Sequence, residues 1–395
     1  MDMTDHQHWL LPEGIEEILP PRAARLEQLC RELIDLYTSW GYELVIPPLI
    51  EYLETLLTGT GEDLDLQVFK LTDQLSGRLM GIRADTTPQV ARIDAHILKR
   101  NVPTRLCYLG SVLHTRPDGT GGSRSPLQVG AELYGHTGVA SDAEVLSLML
   151  ETLKVSGIEK AHIDMGHVGI YRALMHSSGL DTDRESRVFD ILQRKAVSEL
   201  KQMFSKWDVP AGICRLFADI MDLNGDIAVL SEARQRLKNT GPEVMNCLDE
   251  LERIADAVSK QTSGTALHFD LAELRGYHYH TGVIFTAFVP GRGQGIAYGG
   301  RYDDIGKSFG RARPATGFST DIKCLLAHQT DTASLPMGIF APCSGDPGLL
   351  KCIKELRQNG EIVICELPGQ TGGPAEMNCD RKLMLQDGNW KMVKV

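Results

Sequence analysis

The sequence predicts an α+β protein: an antiparallel sheet flanked by helices, a helical insertion, and a small C-terminal α/β domain. Three observations carry that prediction. Strand-like runs fold back around short polar turns at Val68–Arg83, and a second pair lies between Arg105 and Gly135. A long stretch, Tyr171–Ser259, is instead charged, long-sided and mostly helical in character. After Pro336, a strand–helix–strand pattern leads to a hairpin signal at Asp387-Gly388. The predicted domains are residues 1–330, with the insertion at about 171–260, and residues 335–395.

Composition narrows the class of function. A chain of 395 residues has room for two or three domains and an ample core. The formal net charge of −11 disfavours a broad nucleic-acid surface. Nine cysteines are scattered without a CxxC pair, and Met1–Trp9 is polar and acidic, which points to reduced thiols in the cytoplasm. No apolar run approaches the length of a membrane span. The expectation is a cytoplasmic protein with no membrane and no nucleic-acid partner.

In chain order, Pro21–Trp40 is an amphipathic helix, because Leu26, Leu29, Cys30, Leu33, Leu36, Tyr37 and Trp40 recur at helical spacing. Gly41 ends it, Tyr42–Ile46 is strand-like, and Pro47-Pro48 stops that strand. Val68–Leu71 and Leu79–Arg83 flank a turn at Asp73–Gly77. Thr86 or Thr87 reads as the N-cap of a helix running through Leu98. Arg105–Leu113 and Leu127–Gly135 are strands joined by a loop that includes the glycine-rich Gly119–Ser125. Ser141–Val155 is a helix, and Ala161–Gly166 and Leu267–Leu271 are strands. Leu274–Phe285 reads as a strand with Tyr277, Tyr279 and Thr281 on one face and His278 and His280 on the other. Pro290–Gly295 is a hairpin loop. Gly306-Lys307-Ser308 is not a Walker A loop, since Arg301 stands where its first glycine is needed. The C-terminal elements are Met337–Ala341, Asp346–Arg357, Glu361–Glu366, Arg381–Leu385 and Asn389–Val395.

Several polar residues stand out. Asp85 and Thr87 offer a carboxylate and a hydroxyl, the acceptors an ammonium group needs. Gln128 and Glu132 are four apart on a strand and share a face. Leu274–Phe285 gathers a guanidinium, aromatic hydroxyls and imidazoles, with Gly276 allowing a turn or a close approach. Plainer readings compete: a helix cap, a water-facing polar strand face, and a buried strand with satisfied hydroxyls. His278 and His280 lack further ligands at a plausible spacing, so no metal is expected.

Arg275–Gly282 resembles the RGxxYYTGxxF signature of the histidyl-tRNA synthetases, which are class II aminoacyl-tRNA synthetases. Other stretches are similar at matching places. Arg83–Pro88 resembles RPExT, Gln128–Glu132 resembles QxGxE, and Gly299–Asp303 resembles GGGRYD. Pro21–Pro48 looks like motif 1, a dimer-interface element. The resemblance implies a class II synthetase-like fold and a histidine pocket of Asp85, Thr87, Gln128, Glu132, Arg275, Tyr279 and His280. Asp85 and Thr87 would hold the α-amino group.

The departures are also specific. Leu113 and Thr115 stand where motif 2 carries Arg and Glu, with His114 one place off. Lys323 and Cys324 replace the Glu and Arg of motif 3. The positive groups that offset triphosphate charge are therefore not at their family positions. The tail after Pro336 is too short for the usual anticodon-binding domain. A pocket kept without these parts resembles the regulatory subunits of short-form ATP phosphoribosyltransferase, which are synthetase paralogues. That resemblance implies a non-catalytic protein with no cofactor, self-associating as a dimer. Its partner would be the catalytic subunit of the enzyme of the first step of histidine biosynthesis. It would activate that subunit and transmit feedback inhibition by L-histidine. A functional histidyl-tRNA synthetase should instead carry both arginines. A sensor of uncharged tRNA should carry a basic tail, but Leu350–Val395 has seven Lys/Arg against six Asp/Glu.

Overall fold

The chain divides into two units, Met1–Thr330 and Asp331–Val395. The structure, a computed structural model, describes residues 9–59, 62–117, 122–262, 265–277, 279–328 and 337–395. The strands of the first unit are β1 (Glu43–Leu44), β2 (Ile50–Tyr52), β3 (Phe69–Thr72), β4 (Leu79–Ile82), β5 (Thr104–Ser111), β6 (Leu127–Tyr134), β7 (His162–His167), β8 (Asn224–Gly225), β9 (Ala266–Asp270), β10 (Val283–Phe288), β11 (Ala297–Arg301) and β12 (Ala315–Asp321). Nine of them form one sheet in the order β1-β5-β6-β12-β11-β10-β7-β9-β8. The run from β5 to β7 is antiparallel, while β1 joins β5 and β9 joins β7 in parallel. A separate small sheet, β2-β4-β3, contains the hairpin whose turn lies at residues 73–77.

The helices of this unit are α1 (Arg22–Ser39), α2 (Leu53–Leu56), α3 (Glu62–Gln67), α4 (Thr87–Arg92), α5 (Val139–Val155), α6 (Val168–Ser178), α7 (Thr182–Gln193), α8 (Val197–Lys206), α9 (Ala211–Asp222), α10 (Ala228–Arg236), α11 (Pro242–Gln261) and α12 (Ile322–Ala327). The helical insertion runs from α6 to α11. Its helix α11 buries Val244, Leu248, Leu251, Ile254, Ala255 and Val258, a stripe at helical spacing.

The pleat of the large sheet sorts its side chains into two faces. One face, with Cys107, Val129, Ala131, Ile163, Met165, Phe269, Phe285, Ala297 and Phe318, joins the main core. Helix α1 adds Leu29, Leu33 and Tyr37, whose ring meets Phe318 edge-on at 6.0 Å. On the opposite face, Glu132, Gly317, Gly300 and Ile284 follow one another in register from β6 to β10. Glycine there is a requirement of space. A Cβ on Gly317 would lie 1.5 Å from Oε2 of Glu132, and one on Gly130 would meet the Tyr108 hydroxyl at 2.4 Å.

Three expectations are corrected. Residues 274–285 are not one strand, because β10 begins only at Val283. Gly276 adopts φ +67°, and the amides of Tyr277, Tyr279 and His280 bond back to Leu274, Gly276 and Gly276. Turns therefore replace the alternation, and Tyr277 parts from Tyr279. Tyr277 faces the insertion, its ring 5.0 Å from Tyr171 and its hydroxyl 2.5 Å from Glu185, whereas Tyr279 turns to the site. His278 lies outside the described residues. Neither threonine caps α4 through its side chain: Thr86 makes no cap bond, and Thr87 Oγ1 lies 3.1 Å from the Tyr108 hydroxyl. Beyond Arg92 the helix widens into a π-helical stretch, Ile93–Leu98. The first strand is shorter than expected, since only Glu43–Leu44 pairs with β5.

The second unit has β13 (Gly338–Ala341), α13 (Pro347–Gln358), β14 (Val363–Cys365), β15 (Cys379–Gln386) and β16 (Asn389–Lys394), with sheet order β14-β13-β15-β16. Asp387 and Gly388 both have positive φ, +52° and +77°, as the two-residue turn between β15 and β16 requires. Ile339, Ala341, Leu349, Ile353, Val363 and Leu383 form its core.

One buried ion pair ties β11 to α5. Arg301 lies 2.9 Å from Asp142 and donates to Ser141 at 2.8 Å and to Asp303 at 3.0 Å. Breaking a buried pair costs about 3–5 kcal/mol, because the remaining charge stays desolvated. Asp142→Ala should lower stability to urea by about that amount, whereas Arg31→Ala, which breaks an exposed helix pair with Glu27, should change it little. Equal, small effects of the two substitutions would show that the buried pair does not hold these elements together.

Candidate functional site

The segment before α4 passes over the end of β6, and side chains of the two lock together. Asp85 Oδ1 accepts from Nε2 of Gln128 at 2.8 Å and from the Thr87 amide at 3.2 Å. Gln128 Oε1 accepts from the Thr86 amide at 2.9 Å. From Thr87 Oγ1 the chain of contacts continues to the Tyr108 hydroxyl, which donates to Oε1 of Glu132 at 3.2 Å. The Tyr302 hydroxyl donates to the other oxygen of Glu132. Tyr279 stacks on Tyr302, with ring centroids 5.0 Å apart, and its own hydroxyl is buried with no hydrogen-bond partner among the described residues. His280 sets its ring edge-on to Tyr279 and Tyr302, at 5.4 and 6.4 Å.

Asp85, Thr87, Gln128, Glu132 and Tyr279 are thus brought together, with His280 beside them. Arg275 is not part of that hydrogen-bonded chain. It is exposed, with its guanidinium carbon 5.2 Å from the centre of the Tyr298 ring. Tyr298, Asp85 and Gln128 line one cleft of about 320 Å³, together with His114, Arg292, Asp321 and Cys324. Gly122 and Ser123 of the glycine-rich loop also line it, while its first three residues, 119–121, lie outside the described residues. A larger cleft of about 580 Å³ opens against α6 and α11, lined by His167, Arg172, Glu250 and Arg301. Only Thr281 and Gly282 of the signature stretch reach it, and of the predicted residues Asp85 and Gln128 line the smaller cleft, with Glu132 and Tyr279 behind them.

The electrostatics follow from burial. Glu132 is 1% exposed, and burial, reinforced by the charge of Asp85, pushes its carboxyl up to about 8 against the pull of its hydroxyl partners. Burial also lowers His280 to about 4, with the Arg172 guanidinium acting in the same direction. The hydroxyls of Tyr108, Tyr279 and Tyr302 are raised well above their ordinary value, by burial first. Near neutral pH burial therefore favours the protonated form of Glu132, beside the charge of Asp85.

Sequence reasoning missed four residues of the site. Tyr108 had a signal: it lies on the strand paired with β6, directly opposite Gly130. Tyr302 lay inside a matched motif without being assigned a role. Arg172 had no local signal. From α6 of the insertion it donates to the carbonyls of Tyr277 at 3.1 Å and His280 at 2.7 Å, and so holds the signature loop from behind. Arg292, from the loop joining β10 to β11, places Nη1 2.8 Å from Sγ of Cys324. One guanidinium therefore lies beside the position where motif 3 has lost its own. The motif 2 positions are engaged elsewhere: His114 Nε2 lies 2.9 Å from the Ala84 carbonyl, and Thr115 donates to Leu66 O.

The raised carboxyl makes a pH prediction. The folded chain keeps the Glu132 proton up to about pH 8, whereas the unfolded chain releases it near 4.5. The group's contribution to stability therefore falls as pH rises across that window. Glu132→Gln keeps the shape without the titration. The stability difference, wild type minus variant, should decline by at least about 1 kcal/mol between pH 5 and 8, read by urea unfolding in ligand-free buffer. A flat difference would show that the fold does not hold this proton.

Comparison with known proteins agrees with the fold. The family model for histidyl-tRNA synthetase matches residues 14–325, and that for the ATP phosphoribosyltransferase subunit HisZ C-terminal domain matches residues 336–393. An ATP phosphoribosyltransferase regulatory subunit from Thioalkalivibrio sulfidiphilus is 61% identical over 382 residues, covering 96% of this chain and 97% of that protein. A crystal structure described as an ATP phosphoribosyltransferase regulatory subunit/histidyl-tRNA synthetase, from Bacillus halodurans C, superposes with a TM-score of 0.83 at 27% identity, covering 93% of this chain and 95% of that one. Histidyl-tRNA synthetase from Nostoc sp. PCC 7120 shares the fold, with a TM-score of 0.78 at 19% identity over 98% and 97% of the two chains. With its class II synthetase-like α+β fold, the chain belongs to the family of ATP phosphoribosyltransferase regulatory subunits.

Proposed function

We propose that the chain binds L-histidine in the pocket around Glu132 and, without catalysing a reaction itself, regulates a short-form ATP phosphoribosyltransferase. It activates the catalytic subunit and conveys feedback inhibition by histidine. The observation that carries this reading is the linked set Asp85, Thr87, Tyr108, Glu132 and Tyr302, with the buried hydroxyl of Tyr279, which has no partner among the described residues, beside it. An amino acid needs acceptors for its ammonium and partners for its side chain in one place. Asp85 and Thr87 take the ammonium, Gln128 and Arg275 other polar groups of the ligand, and Glu132 with Tyr279 the imidazole. His280, neutral and packed edge-on to Tyr302, shapes the wall. The positions that would grip a triphosphate hold Leu113, Thr115 and Cys324.

Two measurements test the reading. Calorimetric titration with histidine should show that Glu132→Ala loses about 1.5–3 kcal/mol, roughly tenfold or more in affinity. Steady-state phosphoribosyltransferase kinetics on the complex reconstituted with a short-form catalytic subunit should then show activation by the wild-type chain and its reversal by histidine. Arg275→Ala, which removes the exposed guanidinium beside Tyr298, should raise the half-inhibiting histidine concentration while activation stays largely intact. Loss of activation with unchanged histidine sensitivity would overturn the division between pocket and docking surface.

The proposed assembly is a dimer of this chain. Helix α1 packs its buried stripe on its own sheet, but the edge strand β1 and the segment from it to the start of β2 leave Leu44, Ile46, Leu49 and Ile50 exposed. A second copy covering this edge would remove them from water and cap the open strand. Sedimentation velocity should find a dimer for the wild type and a monomer for Ile46→Asp; a wild-type monomer at all concentrations would refute the assembly.

A further inference from the structure

We propose that His162, Asp164 and His268 bind one divalent transition-metal ion of the zinc(II) class at the β7–β9 end of the large sheet. β7 and β9 run in parallel with Asp164 directly opposite His268 in register. His162 is two residues before Asp164 and so shares its face. All three side chains stand on the sheet face that also carries Glu132. They project from two hydrogen-bonded strands, a rigid base for a site.

The spacing of the donor atoms fits a metal. Nδ1 of His268 lies 3.3 Å, and Nε2 of His162 3.5 Å, from the same carboxylate oxygen of Asp164. Ligand atoms about 2.0–2.1 Å from a tetrahedral ion are about 3.4 Å apart. All three donor atoms lie within 4.8 Å of one another, and among the described residues no other trio of His, Cys, Asp or Glu is so placed. His268 supplies a second, independent observation. Its Nδ1 is buried and makes no hydrogen bond among the described residues; the Asp164 oxygen lies 3.3 Å away in ion-pair contact. A buried polar atom left in that state is costly, and a shared cation would satisfy nitrogen and oxygen together.

The neighbouring carboxylate is committed elsewhere. Asp270, next along the same face of β9, has one oxygen 2.6 Å from Lys195 Nζ and the other accepting from the Ala272 amide at 3.0 Å. The site therefore offers three protein donors and an outer position for water, and it opens to solvent through the half-exposed His162. Imidazole and carboxylate donors favour zinc, cobalt or nickel over magnesium or calcium. An ion here would clamp β7 to β9, and β9 leads directly into the segment 271–282 that carries Arg275, Tyr279 and His280. The site does not rest on the histidine reading.

The test uses the full-length chain, stripped with a chelator and titrated with zinc chloride against a chromophoric competitor. One equivalent per chain should bind more tightly than about 1 μM. His162→Gln, Asp164→Asn and His268→Ala should each weaken that equivalent at least about tenfold. His162→Gln changes an exposed side chain, so its metal-free melting curve should match that of the metal-free wild type. Cobalt(II) in place of zinc should give visible ligand-field bands without thiolate charge transfer, which separates this site from the nine cysteines. Unchanged stoichiometry and affinity in all three variants, or a spectrum dominated by cobalt–thiolate absorption, would overturn the proposal.

Discussion

The inner pocket depends on one buried carboxyl. Glu132 sits on the site face of the sheet with both oxygens held by tyrosine hydroxyls, Tyr108 on one side and Tyr302 on the other. It can lie there only because the next strand offers Gly317, whose backbone passes where any side chain would collide with the carboxyl. Burying a carboxyl is costly unless it is hydrogen-bonded or protonated; here two hydroxyls bond it, and burial shifts it toward the protonated form. The stacked rings of Tyr302 and Tyr279 then carry the arrangement from the sheet into the signature loop.

That loop is held from two directions. On the pocket side Tyr279 and His280 pack on Tyr302. On the far side Arg172 bonds two of the loop's carbonyls, and Tyr277 is packed between Tyr171 and Phe189 of the insertion. The insertion is therefore a structural support of the pocket. A ligand that shifts the loop's backbone must also shift the guanidinium that reads it, which is the kind of differential contact a conformational response requires.

What the sequence made legible was local or motif-borne. The Asp387-Gly388 turn could be read because two adjacent residues determine it. Gln128 and Glu132 could be placed on one face because a strand has a fixed period. The period failed at residues 274–282, where one glycine with positive φ converted alternation into turns and sent two tyrosines to different surroundings. Thr87 looked like a helix cap because its competing partner, Tyr108, is 21 residues away and on a different element. Arg172 was invisible for the same reason, and so was the relation of His268 to Asp164, which only the parallel pairing of β7 and β9 creates.

The cleft beside the Glu132 pocket is poor in the free cations that a nucleotide grip would need. A triphosphate needs several fixed cations placed at once. Here Arg292 is directed at Cys324, whose thiol is neutral and can supply no cation in any protonation state. Lys323 is tied to Ser125 and lies 3.9 Å from Glu16. His114 is bonded to the backbone of Ala84, and Leu113 has no charge to offer. The pocket around Glu132 makes no comparable demand, since its groups are satisfied mainly by one another through hydrogen bonds. The two halves of the site are held by different forces. Substitutions that remove the cationic half can therefore leave the hydroxyl-lined half standing.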